Sequence, residues 1–318
     1  MKSRTSLAPA ALAVAAALAL TACGSSAEES PEEPQATETD VAPGRGGTLT
    51  LGIVQEPASW DPAQAHVGHR LQPFQTAYDS LLLREPDGTL APMLATEWSY
   101  TDDAKTVLSL DLRTDVTFSD GAVFDAAAVV ANIEHFKADN GPQSGMGASI
   151  ASVAAVDADT VELTLSAPDP AMEYYLSQAL GLMGSPAALG TDEMDRLPVG
   201  TGPYVMVADQ SVVGSQYVFT AREDYWNTDL QLWDEIDLKL LADVTSRVNA
   251  LVTGEVDATL LDASTFEQAD GAGLTLLEYA TDWQGLLLFD RDGALNPALE
   301  DVRVRQAINY AFDKENLL

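Results

Sequence analysis

Side chains able to ligate a metal are few in this sequence, and their spacing limits what they can do. His66 and His69 stand three apart in His66-Val67-Gly68-His69, which could put two imidazoles on one ion. No cysteine or third histidine lies near them in the sequence and no His-Glu-x-x-His run occurs, so no metal site is expected. His135, beside Phe136 on a stretch with helical apolar spacing, reads as structural. Asp290-Arg291-Asp292-Gly293 has the alternating acids of a calcium loop, yet its glycine comes fourth instead of sixth and Pro297 intrudes. That excludes calcium. Nor is there a nucleophile to name: the chain lacks Gly-x-Ser-x-Gly and a P-loop, and the mature chain lacks Ser-x-x-Lys. Carboxylate pairs are unavoidable among 49 acids and carry no glycosidase signal. The expectation is a binder, not an enzyme, with no cofactor.

Recognition chemistry remains. Thr48 to Val54 alternates as a first strand, and Gln55-Glu56-Pro57-Ala58-Ser59-Trp60-Asp61-Pro62 follows it as a loop of turn formers. Open α/β sheets place ligands at the carboxyl ends of their strands, so Gln55, Glu56 and Trp60 are candidate contacts. For Trp60, core packing is the competing role.

The elements that must position this loop alternate between helix and strand, which argues for α/β or α+β lobes. A helical stretch is expected from about His69 to Leu82, and a half-buried strand at Thr106–Arg113. Asp125 stands where an N-cap belongs, with Val129, Val130, Ile133 and Phe136 at helical spacing behind it. Further strands are expected at Ser152–Val156, Val161–Ser166, Gly202–Val207 and Gln216–Thr220. A helix that starts at Asp243 and is ended by Gly254 precedes a strand at Val256–Leu261. Leu274–Glu278 and Gly285–Phe289 read as strands, and a helix from about Asp301 carries an apolar stripe of Val304, Ala307, Ile308, Ala311 and Phe312. Such a stripe must pack against something, yet only 48 residues follow Asp270, too few for a second core. Either the helix docks on the preceding lobe or the chain is a fragment.

Composition sets the outer limits. The 318 residues suit about two domains, and 46% hydrophobic content excludes wholesale disorder. A net charge of −33 excludes nucleic acid as a partner, and one cysteine excludes a disulfide framework. Lys2 and Arg4 precede an Ala/Leu-rich run, Leu7 to Leu20, too short for a spanning helix and suited to a secretory signal. It ends in Leu20-Thr21-Ala22-Cys23-Gly24, which resembles the bacterial lipoprotein cleavage box. That resemblance implies a signal peptide over 1–22, a lipidated Cys23 and anchorage to the outer face of the cell membrane. Residues 23–47 are acidic, poor in large apolar groups and expected to be a disordered tether.

Seven motifs in order then carry a wider resemblance. They are Leu94-Ala95-Thr96-Glu97-Trp98, Leu110-Asp111-Leu112-Arg113, Phe118-Ser119-Asp120-Gly121 and Val199-Gly200-Thr201-Gly202-Pro203-Tyr204. Asp224-Tyr225-Trp226, Ala250-Leu251-Val252-Thr253-Gly254-Glu255-Val256-Asp257 and Val302-Arg303-Val304-Arg305-Gln306-Ala307-Ile308-Asn309-Tyr310-Ala311-Phe312-Asp313-Lys314 complete the set. From Gly47 to Leu318 the chain resembles the family 5 extracellular solute-binding proteins, the dipeptide-, oligopeptide- and nickel-binding subunits of ABC importers. The resemblance implies a two-lobed α/β fold of the periplasmic-binding-protein kind (type II, cluster C-like), closing over solute between its lobes. It implies lobe I at 48–270, the start of lobe II at 271–318 with the rest missing, and ABC permease and ATPase subunits as partners. Trp283 and Gln284 would stand where lobe II begins and could face the cleft; core packing competes again. Asp290 replaces an asparagine of relatives, favouring an amine-bearing solute if it faces the cleft; a solvent-facing role is the alternative. Contacts that the family places late in lobe II match no residue here, so the chain alone is expected to bind solute weakly or not at all. The function implied is capture of a peptide-like solute for import. A lipid-anchored extracytoplasmic hydrolase and a non-transport surface receptor are the alternatives.

Overall fold

The computed structural model describes residues 44–277 and 286–313. The strands are β1 (Thr48–Ile53), β2 (Leu82–Arg84), β3 (Leu90–Pro92), β4 (Ala95–Tyr100), β5 (Val107–Leu112), β6 (Ile150–Ala155), β7 (Thr160–Leu165), β8 (Tyr204–Met206), β9 (Gln216–Ala221), β10 (Glu235–Leu240) and β11 (Ala258–Thr259). The α-helices are α1 (Ala126–Asp139), α2 (Met172–Tyr175), α3 (Val244–Thr253), α4 (Phe266–Gly271) and α5 (Val302–Tyr310).

Three sheets share one core. The first has the order β11-β1-β10-β9-β8, with β1 parallel to both β10 and β11 and the remaining pairs antiparallel. Its register sets Leu49 against Ile236, Leu51 against Leu238 and Ile53 against Leu240. Because strand side chains alternate between faces, those six residues share the core face. The second sheet is the β2–β3 hairpin, and the third is antiparallel in the order β4-β5-β7-β6. α1 packs on β6 and β7, and its Val129, Ile133 and Phe136 are buried with Leu108, Leu110, Val161 and Leu163.

The two well-marked helices form as their caps require. The Asp125 carboxylate accepts from Ala128 N at 2.8 Å, and Asp243 accepts from Ser246 N at 2.9 Å. Gly254 closes α3 at φ 71°, in the left-handed region that suits glycine.

Several elements differ from expectation. Residues 69–82 form no long helix; they make two 3-10 turns, Gly68–Arg70 and Phe74–Thr76, and then enter β2. Pro73 interrupts the run, and the backbone beyond it serves tertiary partners. Gly202 N donates to Ala77 O at 2.9 Å, Leu81 N to Gly181 O at 2.9 Å and Leu82 N to Leu176 O at 3.1 Å. The strand expected at Val256–Leu261 shrinks to Ala258–Thr259, pairing only with β1. Residues 274–277 and 286–289 pair with no described strand, and the rest of those two expected strands lies outside the described residues. β10 was not anticipated, although Glu235-Ile236-Asp237-Leu238-Lys239-Leu240 alternates cleanly. α5 starts at its Asp301 cap as expected, but none of its residues is buried, and Phe312 beyond it is 42% exposed.

Candidate functional site

Since β1, β10 and β11 run parallel, their carboxyl ends share one edge of the sheet. The chain leaves that edge through Val54–Trp60, through 241–243 and through 260–262. Arg247 on α3 ties two of these exits together. Its Nη1 donates to Leu241 O at 2.9 Å and Ala242 O at 2.8 Å, and its Nε to Leu260 O at 2.7 Å. Its buried charge is thereby engaged with backbone carbonyls.

Glu56 ties down the third exit. Its Oε2 accepts from Tyr217 Oη at 2.5 Å and from Gly214 N at 2.7 Å, joining the loop to the turn before β9. Burial raises the Tyr217 hydroxyl well above its ordinary range, with the Glu56 hydrogen bond and charge adding to the effect. The hydroxyl therefore stays protonated and keeps donating. Gln55 beside Glu56 and Val212 and Val213 on the turn it holds are exposed, as is Leu260 on the 260–262 exit, and Asp243 and Asp262 on the other two exits are capping carboxylates. Serine hydrogen bonds from Ser264 hold Asp262 below the usual carboxylate range, so it carries charge. A rigid edge with polar and apolar groups can orient a small solute.

The sequence candidates divide. Gln55 and Glu56 lie at the edge. Trp60 is 2% exposed and fills the core, its ring centroid 5.6 Å from Phe74, 5.3 Å from Tyr217 and 5.6 Å from Phe219. It offers a solute almost no surface. Asp290 turns back on its own loop, accepting from Asn296 N at 2.6 Å, which lowers its pKa most, and from Leu295 N at 3.0 Å. Cys23, Trp283 and Gln284 lie outside the described residues. His66 is half-buried and His69 exposed; burial, then the nearby Arg70 charge, lowers the His66 pKa.

A second polar constellation had no place among the candidates. Arg222, almost fully buried, grips Asp224 through Nε and Nη2 at 3.1 Å each. It also donates to the carbonyls of Thr117 at 3.2 Å, Phe118 at 3.3 Å, and Gly200 and Gly202 at 3.4 Å. The hydrogen bonds from Arg222 hold the Asp224 carboxyl below its usual range. Beside this fork Asp79, 2% exposed, accepts from Tyr225 Oη and Trp226 Nε1 at 2.9 Å each, and Arg113 stacks 3.9 Å above the Trp226 ring. Burial pushes Asp79 up to about 7. The Phe118-Ser119-Asp120-Gly121, Gly200-Thr201-Gly202-Pro203-Tyr204 and Asp224-Tyr225-Trp226 motifs all meet here. Gly200 and Gly202 are required by close approach: a Cβ would come within 2.2 Å of Ala77 O at the first and 2.4 Å of Tyr78 N at the second. Arg222, Asp79 and Tyr225 are buried while the Asp224 side chain reaches solvent, and the bonds among them tie the three motifs into the fold. Arg222 adjoins the Asp224-Tyr225-Trp226 motif and was within reach of sequence reading; Asp79 sits in no motif and was not.

The profile of "Bacterial extracellular solute-binding proteins, family 5 Middle" matches residues 89–318. The chain belongs to this family. Its members are solute-binding components of ABC transporters, extracytoplasmic and non-enzymatic. The nickel-binding periplasmic protein of Escherichia coli K12 is 28% identical over 281 residues, covering 82% of this chain and 51% of that protein. The glutathione-binding protein GsiB of the same strain is 31% identical over 252 residues, covering 76% of this chain and 47% of that protein. The crystal structure of Campylobacter jejuni NikZ with Ni(L-His) superposes with a TM-score of 0.65 at 28% identity, covering 85% of this chain and 54% of that one. This family 5 chain thus spans about half the length of the curated relatives it matches, and over that part it has the mixed α/β fold of cluster C binding proteins. Among the described residues no helix is long and apolar enough to cross a membrane.

Proposed function

We propose that this protein captures a peptide-like solute outside the membrane and delivers it to an ABC permease whose ATPase subunits power import. One observation carries the reading: three parallel strands end on a common edge whose loops are fixed by Glu56 and Arg247. The names of relatives support the solute class. One binds glutathione, a tripeptide, and another is solved with a nickel complex of an amino acid. Both ligands carry amino-acid amino and carboxylate groups. The acidic net charge favours the approach of amine-bearing solutes, an attraction that salt screens.

Residues 48–270 serve as the first lobe in this reading, and 271–318 begin the second. Solute contacts made in both lobes favour the closed form, because only differential affinity shifts an open–closed equilibrium. Cys23, lipidated after removal of residues 1–22, anchors the protein, and 23–47 act as its tether. Stable anchorage takes more than one acyl chain, at about 0.8 kcal/mol per buried CH₂.

Saturation-transfer NMR, which detects weak binding, tests the reading on the full chain with di- to pentapeptides, glutathione and nickel–histidine. The expected result is transfer to at least one peptide-class solute, recovered uncleaved, and reduced transfer in Gln55→Ala. No transfer from any member of the panel overturns the claim that this half-length chain itself contacts solute at its edge, and cleavage of a peptide points to the hydrolase instead.

A further inference from the structure

The solute edge makes no use of one cluster of ligating side chains. His135 and Asp139 lie at i and i+4 on α1, so both project from the same face of the helix. Opposite them Asp61 caps the 3-10 turn Pro62–Gln64. His135 Nε2 stands 2.9 Å and 2.8 Å from the two Asp61 carboxylate oxygens. One ligand atom from each of Asp61, His135 and Asp139 falls within 4.8 Å of the others. Gln64 Nε2 donates to Asp139 Oδ2 at 2.9 Å, and a flipped amide would present Oε1 to the same space.

We propose that Asp61, His135 and Asp139 form a site for one borderline divalent cation, of the zinc or nickel kind, that pins the loop after β1 to α1. The donor set is one imidazole and two carboxylates, which suits such ions and is too nitrogen-rich for calcium or magnesium. The i, i+4 spacing is the one at which two side chains of a helix share an ion. Exposure is graded as a site needs. Asp61 is buried, His135 half-buried and Asp139 exposed, so one side stays open for the ion and its waters. Ala63 N and Gly190 N, each 2.9 Å from an Asp61 oxygen, orient that carboxylate as outer-shell donors orient a ligand. Coordination uses the Nε2 lone pair, so the bound ring carries its single proton on Nδ1: a neutral ring takes that tautomer, and a doubly protonated ring gives its Nε2 proton to solvent. The ion is structural and needs no solute, which keeps this inference separate from the transport reading.

Isothermal titration of the full chain with zinc chloride, repeated with nickel chloride, tests the site. Wild type is expected to bind one equivalent. His135→Gln and Asp139→Asn are each expected to weaken binding at least tenfold. His135→Gln keeps a donor toward Asp61, and Asp139 is exposed, so both variants should keep the wild-type thermal transition without metal. The double variant His66→Gln/His69→Gln and Cys23→Ser should bind as wild type does. Absence of binding in wild type, retained affinity in His135→Gln and Asp139→Asn, or loss in the His66/His69 or Cys23 variants overturns the assignment.

Discussion

Burial works against the Asp79 carboxylate, and the consequence has a definite sign. Asp79 holds its proton up to about 7 in the folded chain, whereas the unfolded carboxyl releases it near 3.8. Between those values the native state binds more protons, so this group's contribution to stability falls as pH rises and levels off above about 7. The full loss is on the order of a few kcal/mol. Asn in its place still accepts from Trp226 Nε1 and donates to Tyr225 Oη. Asp79→Asn should therefore lose less stability than wild type between pH 4 and 7, as read from urea midpoints. An identical pH slope in the variant contradicts the assignment. Gly202 gives a second prediction. The alanine Cβ would lie 2.4 Å from Ala77 C and Tyr78 N, backbone that cannot yield cheaply. Gly202→Ala should cost about 3 kcal/mol or more, seen as a lowered thermal midpoint. Residue types were legible in sequence wherever a motif held them. Their roles were not: Trp60 as a letter suits a core ring and also a ligand platform, and the packing of Phe74, Tyr217 and Phe219 decides for the core.

Elements with strong local signals formed where the sequence placed them. Asp125 and Asp243 are caps, and β5 and β7 alternate, so local chemistry and burial agree there. Asp125→Ala removes the bond to Ala128 N and should cost about 1 kcal/mol in chemical denaturation. The segment 69–82 misled because its backbone beyond Pro73 bonds to three different neighbours, Gly202, Gly181 and Leu176, and not along one helix. β11 is short because Asp257 directs its side chain to Thr50 N at 2.8 Å and only two residues pair. Such outcomes depend on distant partners, which a local pattern does not contain. His135 and Asp139 illustrate the same limit: their helical spacing was readable, but Asp61 reaches them only through the fold.

At the scale of the whole molecule, three of the motifs that mark the family meet around Arg222 and Asp79, Arg113 of a fourth stacks on Trp226, and the Ala250–Asp257 motif joins α3 to β11. Family membership was therefore legible from sequence while the solute was not, since the recognisable residues build the scaffold. The edge itself depends on parallel pairing between strands nearly two hundred residues apart, such as Thr48 with Glu235. α5 adds an apolar stripe with no buried residue, and the chain spans about half the length of its curated relatives. We propose that solute is held at the carboxyl edge of the first sheet. Amide hydrogen exchange of the full chain, with and without the peptide that gives saturation transfer, tests it most directly. Exchange is expected to slow across 54–59, 241–243 and 260–262, with 117–121 and 200–204 unchanged. Unchanged exchange along the edge, with protection confined to other segments, would contradict it.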